Sequence, residues 1–180
     1  IPVALPHTPG SDVAGTVDAL GEGVDRFAAG DPVIGFLGLV AVGASAEYVL
    51  APAGILAPAP TSIPLADAAA LPVVGLTAWQ ALFDHAKLTA GQRVLINGAG
   101  GAVGAYAVQL AKGAGAYVIG VTGPRSADRA RTAGADEVLD ESGTVAPVDV
   151  VLNLAPVQPE QLTALLTLIK PGGILVNTTV

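Results

Sequence analysis

The second half of the chain alternates short apolar runs with longer stretches in which apolar and polar residues mix. Continuous apolar runs are typical of strands in a parallel sheet, which are buried on both faces. The pattern predicts strands at 94–97, 117–121, 137–139, 148–152 and 174–178, with helices at 102–114, 126–133 and 160–169. Because parallel strands are joined by right-handed crossovers, we expect a doubly wound α/β sheet with strand order 3-2-1-4-5.

The first half of the chain has a different pattern, in which short apolar stretches lie between turns rich in glycine and proline. These stretches predict strands at 13–20, 32–35 and 46–50. Helices are not expected among them, because the glycines interrupt every 3.6-residue periodicity. We therefore predict a β-rich domain over residues 1–64.

Three prolines between residues 58 and 64 indicate a stiff, extended connection between the two parts. Helical patterns then follow at 65–71 and 73–85. We assign both helices, with everything that follows them, to the α/β domain at 65–180.

Composition limits the classes of function. The 180 residues are 52% hydrophobic and 13% charged, which excludes a disordered chain. A net charge of −7 argues against a nucleic-acid partner, and the lack of cysteine excludes disulfides and thiolate metal sites. The most apolar run, 68–83, is too short and too interrupted to span a bilayer. We expect a cytoplasmic protein with no membrane association.

Neither end of the sequence looks like a domain boundary. The chain opens at Ile1 rather than at a methionine, and it closes directly after an apolar strand. We expect both domains to be pieces of longer ones.

A glycine cluster links the first strand of the α/β half to the helix after it. Glycines at 98, 101 and 104 have the spacing of a dinucleotide-binding turn, and the strand and helix on either side supply the required context. Such a turn lets backbone N–H groups and a helix N-terminus approach a pyrophosphate. A purely structural turn is the alternative. The residues predicted to bind the cofactor here are Gly98, Ala99, Gly100, Gly101, Ala102, Val103 and Gly104.

The end of the second α/β strand indicates which nucleotide is bound. NAD-binding proteins usually place a carboxylate there to hold the ribose hydroxyls. Here the sequence runs Thr122-Gly123-Pro124-Arg125-Ser126, which holds an arginine and no carboxylate. We predict NADP(H), with Thr122 and Gly123 beside it and with Arg125 and Ser126 on the 2′-phosphate. The alternative is that Arg125 and Arg129 form a solvated helix face.

Further candidates lie near the nicotinamide end. Asn153, Leu154 and Ala155 follow the fourth strand, and Asn153 either binds the cofactor or caps the loop. In the helix at 73–85, Trp79, Leu82 and Phe83 are expected on the packed side. Thr77 and Trp79 either face the cofactor or pack in the protein.

The chain resembles the zinc-independent quinone oxidoreductases of the medium-chain dehydrogenase/reductase superfamily. The matching segments, besides the glycine cluster, are Pro9–Gly15, Gly21–Val24, Gly30–Val33, Ala46–Val49, Ala68–Trp79, Gln109–Lys112, Gly134–Val138 and Pro171–Gly173. The resemblance implies a GroES-like domain, here partial, joined to a Rossmann domain that is incomplete at its C-terminus. It also implies a homodimer, and nicotinamide bound in the cleft between the domains.

Zinc-dependent relatives carry Gly-His-Glu where this chain has Gly10-Ser11-Asp12, and they also carry cysteine ligands, whereas this chain has no cysteine. His7 and His85 have no spaced partners, so we expect no metal site.

The resemblance implies hydride transfer from NADPH to a small quinone or enone. No catalytic acid is assigned. Tyr48 is a candidate proton donor by its chemistry, and the alternative is a core tyrosine. An enoyl reductase of polyketide or fatty-acid assembly and a non-catalytic NADPH-binding sensor stay open as alternative functions.

Overall fold

The protein is described by a computed structural model, which covers residues 5–40, 42–140 and 142–179. Contacts between Cα atoms divide the chain into two units, one up to Val73 and one from Val74 onward. The predicted boundary between residues 64 and 65 stays a prediction.

The first unit contains a small antiparallel sheet. Its strands are β1 (Asp12–Thr16), β2 (Pro32–Phe36) and β3 (Leu56–Pro58), with β2 in the middle. A 3-10 turn at Ala53–Ile55 leads into β3, and a short helix, α1, spans Leu65–Ala68. β1 and α1 are both shorter than the sequence pattern predicts: β1 ends at Thr16, and a turn at 69–70 follows α1.

The predicted strand at 46–50 is wrong. Within the part of the chain that the structure describes, β2 pairs with β1 and β3, and no strand forms at 46–50. Tyr48 is 70% exposed and Leu50 is fully exposed. An apolar alternation makes a strand only where a neighbouring backbone accepts its hydrogen bonds.

The predicted helix at 73–85 is confirmed in extent but changes its winding. It begins as α2 (Pro72–Trp79) and continues as a π-helix over Gln80–His85. The wider turn is visible where the Ala86 N–H donates to the Ala81 carbonyl. Leu82 is completely buried, whereas Trp79 is 51% exposed, so the prediction that Trp79 lies on the packed side is wrong.

The second unit is a five-stranded parallel sheet with helices on both faces. Its strands are β4 (Arg93–Asn97), β5 (Tyr117–Val121), β6 (Glu137–Leu139), β7 (Val148–Asn153) and β8 (Ile169–Asn177). Its helices are α3 (Ala102–Gly113), α4 (Ala127–Thr132), which follows a 3-10 turn at Pro124–Ser126, and α5 (Pro159–Thr167). The spatial order is β6-β5-β4-β7-β8, which confirms the predicted order 3-2-1-4-5 and the α/β Rossmann fold class.

The predicted helix at 160–169 is too long, and the strand after it is too short. The α5 helix ends at Thr167, and β8 begins at Ile169, whose register partner is Val148. Pro171 cannot continue a helix, and Gly172 adopts a positive φ of 82° inside the strand. The pairing of β7 with β8 shifts between Val148 and Val150.

The core explains why the strand sequences are apolar throughout. Val94 and Ile96 of β4 pack with Ala107, Val108 and Ala111 of α3 on one face of the sheet. Leu95 lies between them in sequence and packs on the opposite face, with Ile119 and Val151. Both faces are therefore covered, as a parallel sheet requires.

Charged side chains form hydrogen bonds and ion pairs near the amino ends of the strands. One carboxylate oxygen of Asp149 accepts from the Arg93 backbone N–H at 2.8 Å, and Lys170 Nζ lies 2.9 Å from both carboxylate oxygens. These hydrogen bonds lower the pKa of Asp149, and the bond from the Arg93 N–H has the largest effect. Burial raises the pKa of Asp136, but bonds from Lys112 Nζ and the Val118 N–H outweigh it, and the net shift is downward.

Candidate cofactor-binding site

The glycine cluster forms a tight turn anchored on the neighbouring strand. Gly98 adopts a φ of 87°, which side chains rarely tolerate. The N–H groups of Gly98 and Ala99 both donate to the carbonyl of Val121, at 2.9 and 3.1 Å. The turn after β4 is therefore fixed to the carboxyl end of β5.

Two further glycines have no room for a side chain. A Cβ at Gly104 would lie within 2.7 Å of the Ala99 backbone and closer still to the Gly98 carbonyl oxygen. A Cβ at Gly100 would lie 2.5 Å from Ser126 Cβ and 2.6 Å from Thr122 Oγ1. Gly104 lets α3 approach the turn, and Gly100 lets the turn approach the β5 loop.

Gly101 lies at the junction of the glycine turn and α3. Its N–H donates to the Gly98 carbonyl at 3.0 Å, so this donor is used inside the turn. Gly101 is the N-cap residue of the twelve-residue helix α3, and no side chain caps it. The first N–H groups of a helix have no partner in a preceding turn. Those of Ala102 and Val103 therefore fit a pyrophosphate, as the prediction for these two residues requires.

The loop after β5 carries two hydroxyl groups side by side. Thr122 Oγ1 and Ser126 Oγ lie 2.8 Å apart, and both face the position where a Cβ at Gly100 would be. Gly123 and Arg125 lie on the same loop and are exposed. The structure thus brings Thr122 and Ser126, two of the residues predicted in this loop, next to the glycine turn.

Arg129 makes a contact with the glycine turn that the sequence did not predict, since its pattern placed Arg129 only on a solvated helix face. Its Nη1 donates to the carbonyl of Gly100 at 3.1 Å. No signal in the local sequence pointed to this contact, because it joins residues 29 positions apart.

Asn153 is completely buried, and its side-chain amide both accepts and donates hydrogen bonds. Its Oδ1 accepts from Asn97 Nδ2 at 2.7 Å, and its Nδ2 donates to Asn177 Oδ1 at 2.7 Å and to the Ala155 carbonyl at 3.0 Å. This arrangement favours the loop-capping interpretation of Asn153, and its contact with a cofactor stays a prediction.

Leu154 and Ala155 lie beside the glycine turn. The Leu154 N–H donates to the Asn97 carbonyl at 2.9 Å, and a Cβ at Gly98 would lie 3.2 Å from the Ala155 nitrogen. The loops after β4 and β7 are therefore in direct contact at the carboxyl edge of the sheet, where open α/β sheets bind their ligands.

Thr77 lines a small cavity next to the end of β8. The cavity has a volume of about 170 Å³, and its lining residues are Thr77, Gln80, Ala81, His85, Val176, Asn177 and Thr178. Trp79 is not among these residues and stacks at a tilt on Phe83, with ring centroids 4.6 Å apart.

A larger cavity, of about 820 Å³, lies in the first unit. Apolar side chains and backbone from β1 and from residues 44–53 make up most of its lining, and Asp18 and Glu47 are its charged members. None of the predicted cofactor-binding residues lines this cavity. The candidate proton donor Tyr48 does line it, and its 70% exposure excludes the core-tyrosine interpretation.

Among the described residues, no three histidine, cysteine or acidic side chains are placed to hold a metal ion. No helix in the same part of the chain is long and apolar enough to cross a membrane. The expectations of no metal site and no membrane association stay predictions.

The sequence comparisons agree with this geometry. Residues 1–61 match the alcohol dehydrogenase GroES-like domain. Over 145 residues the chain is 43% identical to a chloroplastic quinone-oxidoreductase homolog of Spinacia oleracea, covering 78% of this chain and 44% of that protein. The chain belongs to the quinone oxidoreductase family of the medium-chain dehydrogenase/reductase superfamily. The GroES-like part of the predicted fold is thereby confirmed.

Other proteins and solved structures are also similar to this chain. The quinone oxidoreductase structure from Coxiella burnetii superposes with a TM-score of 0.87 at 32% identity, covering 96% of this chain and 56% of that one. A structure of an NAD-dependent alcohol dehydrogenase gives 0.87 at 30% identity, covering 97% and 61%. The spectinabilin polyketide synthase protein NorB of Streptomyces orinoci is 38% identical over 174 residues, which are 91% of this chain and 8% of NorB. This family member thus spans about half the length of its stand-alone relatives.

Proposed function

We propose that this family member belongs to an NADPH-dependent oxidoreductase that transfers hydride to a quinone or an activated enone without zinc. The observation that carries the proposal is the glycine turn, in which Gly98, Gly100 and Gly104 exclude side chains, joined to a β5 loop with two hydroxyls and no carboxylate. The turn fits a dinucleotide, and the loop fits a 2′-phosphate.

The proposed cofactor residues fall into three groups along the carboxyl edge of the sheet. The pyrophosphate group comprises Gly98, Ala99, Gly100, Gly101, Ala102, Val103 and Gly104. The 2′-phosphate group comprises Thr122, Gly123, Arg125 and Ser126. The nicotinamide group comprises Thr77, Asn153, Leu154 and Ala155.

NADP(H) is proposed rather than NAD(H) because of the side chains in the loop after β5. A carboxylate at this place would bind ribose hydroxyls and repel a phosphate, whereas the exposed guanidinium of Arg125 attracts one. R125A should weaken NADPH binding about tenfold and leave NADH binding nearly unchanged, since a hydrogen bond to a charged group is worth about 1.5–3 kcal/mol. An unchanged preference would remove Arg125 from the proposal.

When bound, NADPH supplies the hydride. The chain's own residues bind and orient it: the first N–H groups of α3 hold the pyrophosphate, and the Asn97–Asn153–Asn177 network fixes the loops that flank the nicotinamide side. Without a metal, such a site accelerates transfer by positioning the reactants and excluding water. Tyr48 stays a candidate proton donor.

An enoyl reductase of polyketide assembly is the second candidate, and the similarity to NorB over 91% of this chain favours it specifically. A non-catalytic NADPH-binding sensor is the third. Full-length protein should be assayed for NADPH oxidation with a free quinone, a free enone and an acyl-carrier-bound enoyl thioester. Faster turnover with the free acceptors supports the proposal, faster turnover with the carrier-bound thioester supports the second candidate, and NADPH binding with no turnover supports the third.

The homodimer, the cytoplasmic location and the domain boundary at residue 64 are also proposals. The spinach relative is named chloroplastic, which makes the compartment a question for direct localisation of the tagged protein.

A further inference from the structure

Arg129 contacts a peptide group of the glycine turn that is hydrogen-bonded at both its carbonyl and its N–H. Its Nη1 donates to the Gly100 carbonyl at 3.1 Å, while the N–H of the same peptide group, that of Gly101, donates to the Gly98 carbonyl at 3.0 Å. Because a peptide group is planar, these two bonds together fix its orientation. The peptide immediately before α3 is thereby clamped.

The guanidinium of Arg129 keeps its charge uncompensated. A carbonyl is a neutral acceptor, and within the described ranges Arg129 has no carboxylate within ion-pair distance. The nearest acidic residue in sequence, Asp128, is instead paired with Arg131 at 2.8 Å. A guanidinium has five N–H donors, of which the Gly100 carbonyl uses one.

Two hydroxyls converge on the same glycine. Thr122 Oγ1 and Ser126 Oγ lie 2.8 Å apart and would both contact a Cβ at Gly100. Gly100 therefore has a guanidinium on its carbonyl and a hydroxyl pair beside its Cα. A cation with free donors next to two hydroxyls matches a phosphate monoester.

We propose that Arg129 determines cofactor specificity, binding the 2′-phosphate while it clamps the Gly100–Gly101 peptide. The inference rests on the proposed NADP(H) function and deepens it. Under this proposal Arg129 binds the 2′-phosphate in addition to Arg125. Arg129 also links recognition of the 2′-phosphate to the shape of the pyrophosphate turn. A 2′-phosphate on Arg129 would then stabilise the turn that receives the rest of the cofactor.

The test uses two nucleotide fragments that differ in the 2′-phosphate. Adenosine 2′,5′-bisphosphate and 5′-AMP are titrated calorimetrically into the full-length protein and into its R129Q, R129K and R131Q variants. R131Q is the matched control, because Arg131 lies on the same helix with its side chain 58% exposed and paired with Asp128. Circular dichroism checks that each variant is folded.

R129Q should weaken binding of the bisphosphate about ten- to a hundredfold and leave 5′-AMP affinity nearly unchanged. R129K should give a smaller loss for the bisphosphate alone, because it keeps the charge but not the planar fork, and R131Q should match the unmodified protein. R129K also decides the question if R129Q does not fold.

If R129Q weakens the binding of both fragments equally, Arg129 only clamps the turn. If R129Q changes the binding of neither fragment, Arg129 neither clamps the turn nor binds the phosphate. Both results overturn the inference. If the unmodified protein prefers the bisphosphate and R129Q keeps that preference, the inference alone fails. If the unmodified protein binds both fragments equally, the NADP(H) proposal fails as well.

Discussion

The side-chain amide of Asn97 donates to the side-chain oxygen of Asn153 over 2.7 Å, at the point where β4 and β7 end. Asn153 in turn donates to Asn177 at the end of β8, over the same distance. The three residues are register partners on three adjacent strands. The loops that follow β4 and β7 are the proposed pyrophosphate and nicotinamide loops, so one amide network centred on the buried Asn153 fixes both.

N153A should destabilise the protein by about 1–3 kcal/mol, since the half-buried Asn97 amide loses its partner and an unpaired polar group costs about this much. The substitution leaves both Asn97 Nδ2 and Asn177 Oδ1 without this partner. Denaturant unfolding of the full-length protein measures the change. Q109A on the exposed face of α3 is the control and should change the stability by less than about 0.5 kcal/mol. Equal effects of the two substitutions would contradict a structural role for the network.

G104A should lower both stability and cofactor affinity. The added methyl group would overlap the backbone of Gly98 and Ala99, so α3 must move away from the turn. Overpacking of this kind costs about 1–3 kcal/mol. Thermal unfolding with and without NADPH measures both effects.

G113A provides the comparison, because Gly113 ends the same helix and a Cβ there would contact nothing within 4 Å. It should leave NADPH affinity unchanged and leave stability equal or raise it by about 0.5–1 kcal/mol. If G104A behaves like G113A, the close approach of α3 to the turn is not needed for binding.

Stability should fall in acid partly because of Asp149. Its pKa is lowered in the folded state, chiefly by the Arg93 N–H and by Lys170. A lowered pKa contributes stability that is present above the unfolded-state pKa of about 3.9 and is lost as the pH falls through the folded-state pKa. D149N should therefore be less stable at neutral pH and should lose less stability between about pH 5 and pH 2.

Urea unfolding across this pH range measures the effect. D128N removes a carboxylate that is 98% exposed, and it should keep the pH dependence of the unmodified protein. If D149N and the unmodified protein lose stability in parallel, the hydrogen bonds to Asp149 do not control acid stability.

The sequence predicted the parallel sheet well because its strands carry their own signal. Strands such as β7, with every residue from Val150 to Leu152 buried, are apolar on both faces, as a parallel sheet covered on both sides requires. The residues at 46–50 are also mostly apolar but form no strand, because a strand also needs a hydrogen-bonding neighbour that local sequence does not reveal.

The candidate site was predictable where backbone geometry alone decides it. The positive φ of Gly98 and the contact of Gly104 with the turn follow from glycine spacing. The bond from Arg129 to Gly100 joins residues 29 positions apart, and the Asn153 network joins three strands. Side-chain partners at such separations depend on tertiary packing, which a single sequence does not specify.

The central claim is best tested by titrating the full-length protein with NADPH and with NADH, then adding a simple quinone while nicotinamide absorbance is followed. We expect at least about tenfold tighter binding of NADPH, together with quinone-dependent NADPH oxidation. Equal affinity for the two nucleotides would contradict the 2′-phosphate assignment, and tight NADPH binding without oxidation would contradict the quinone reductase.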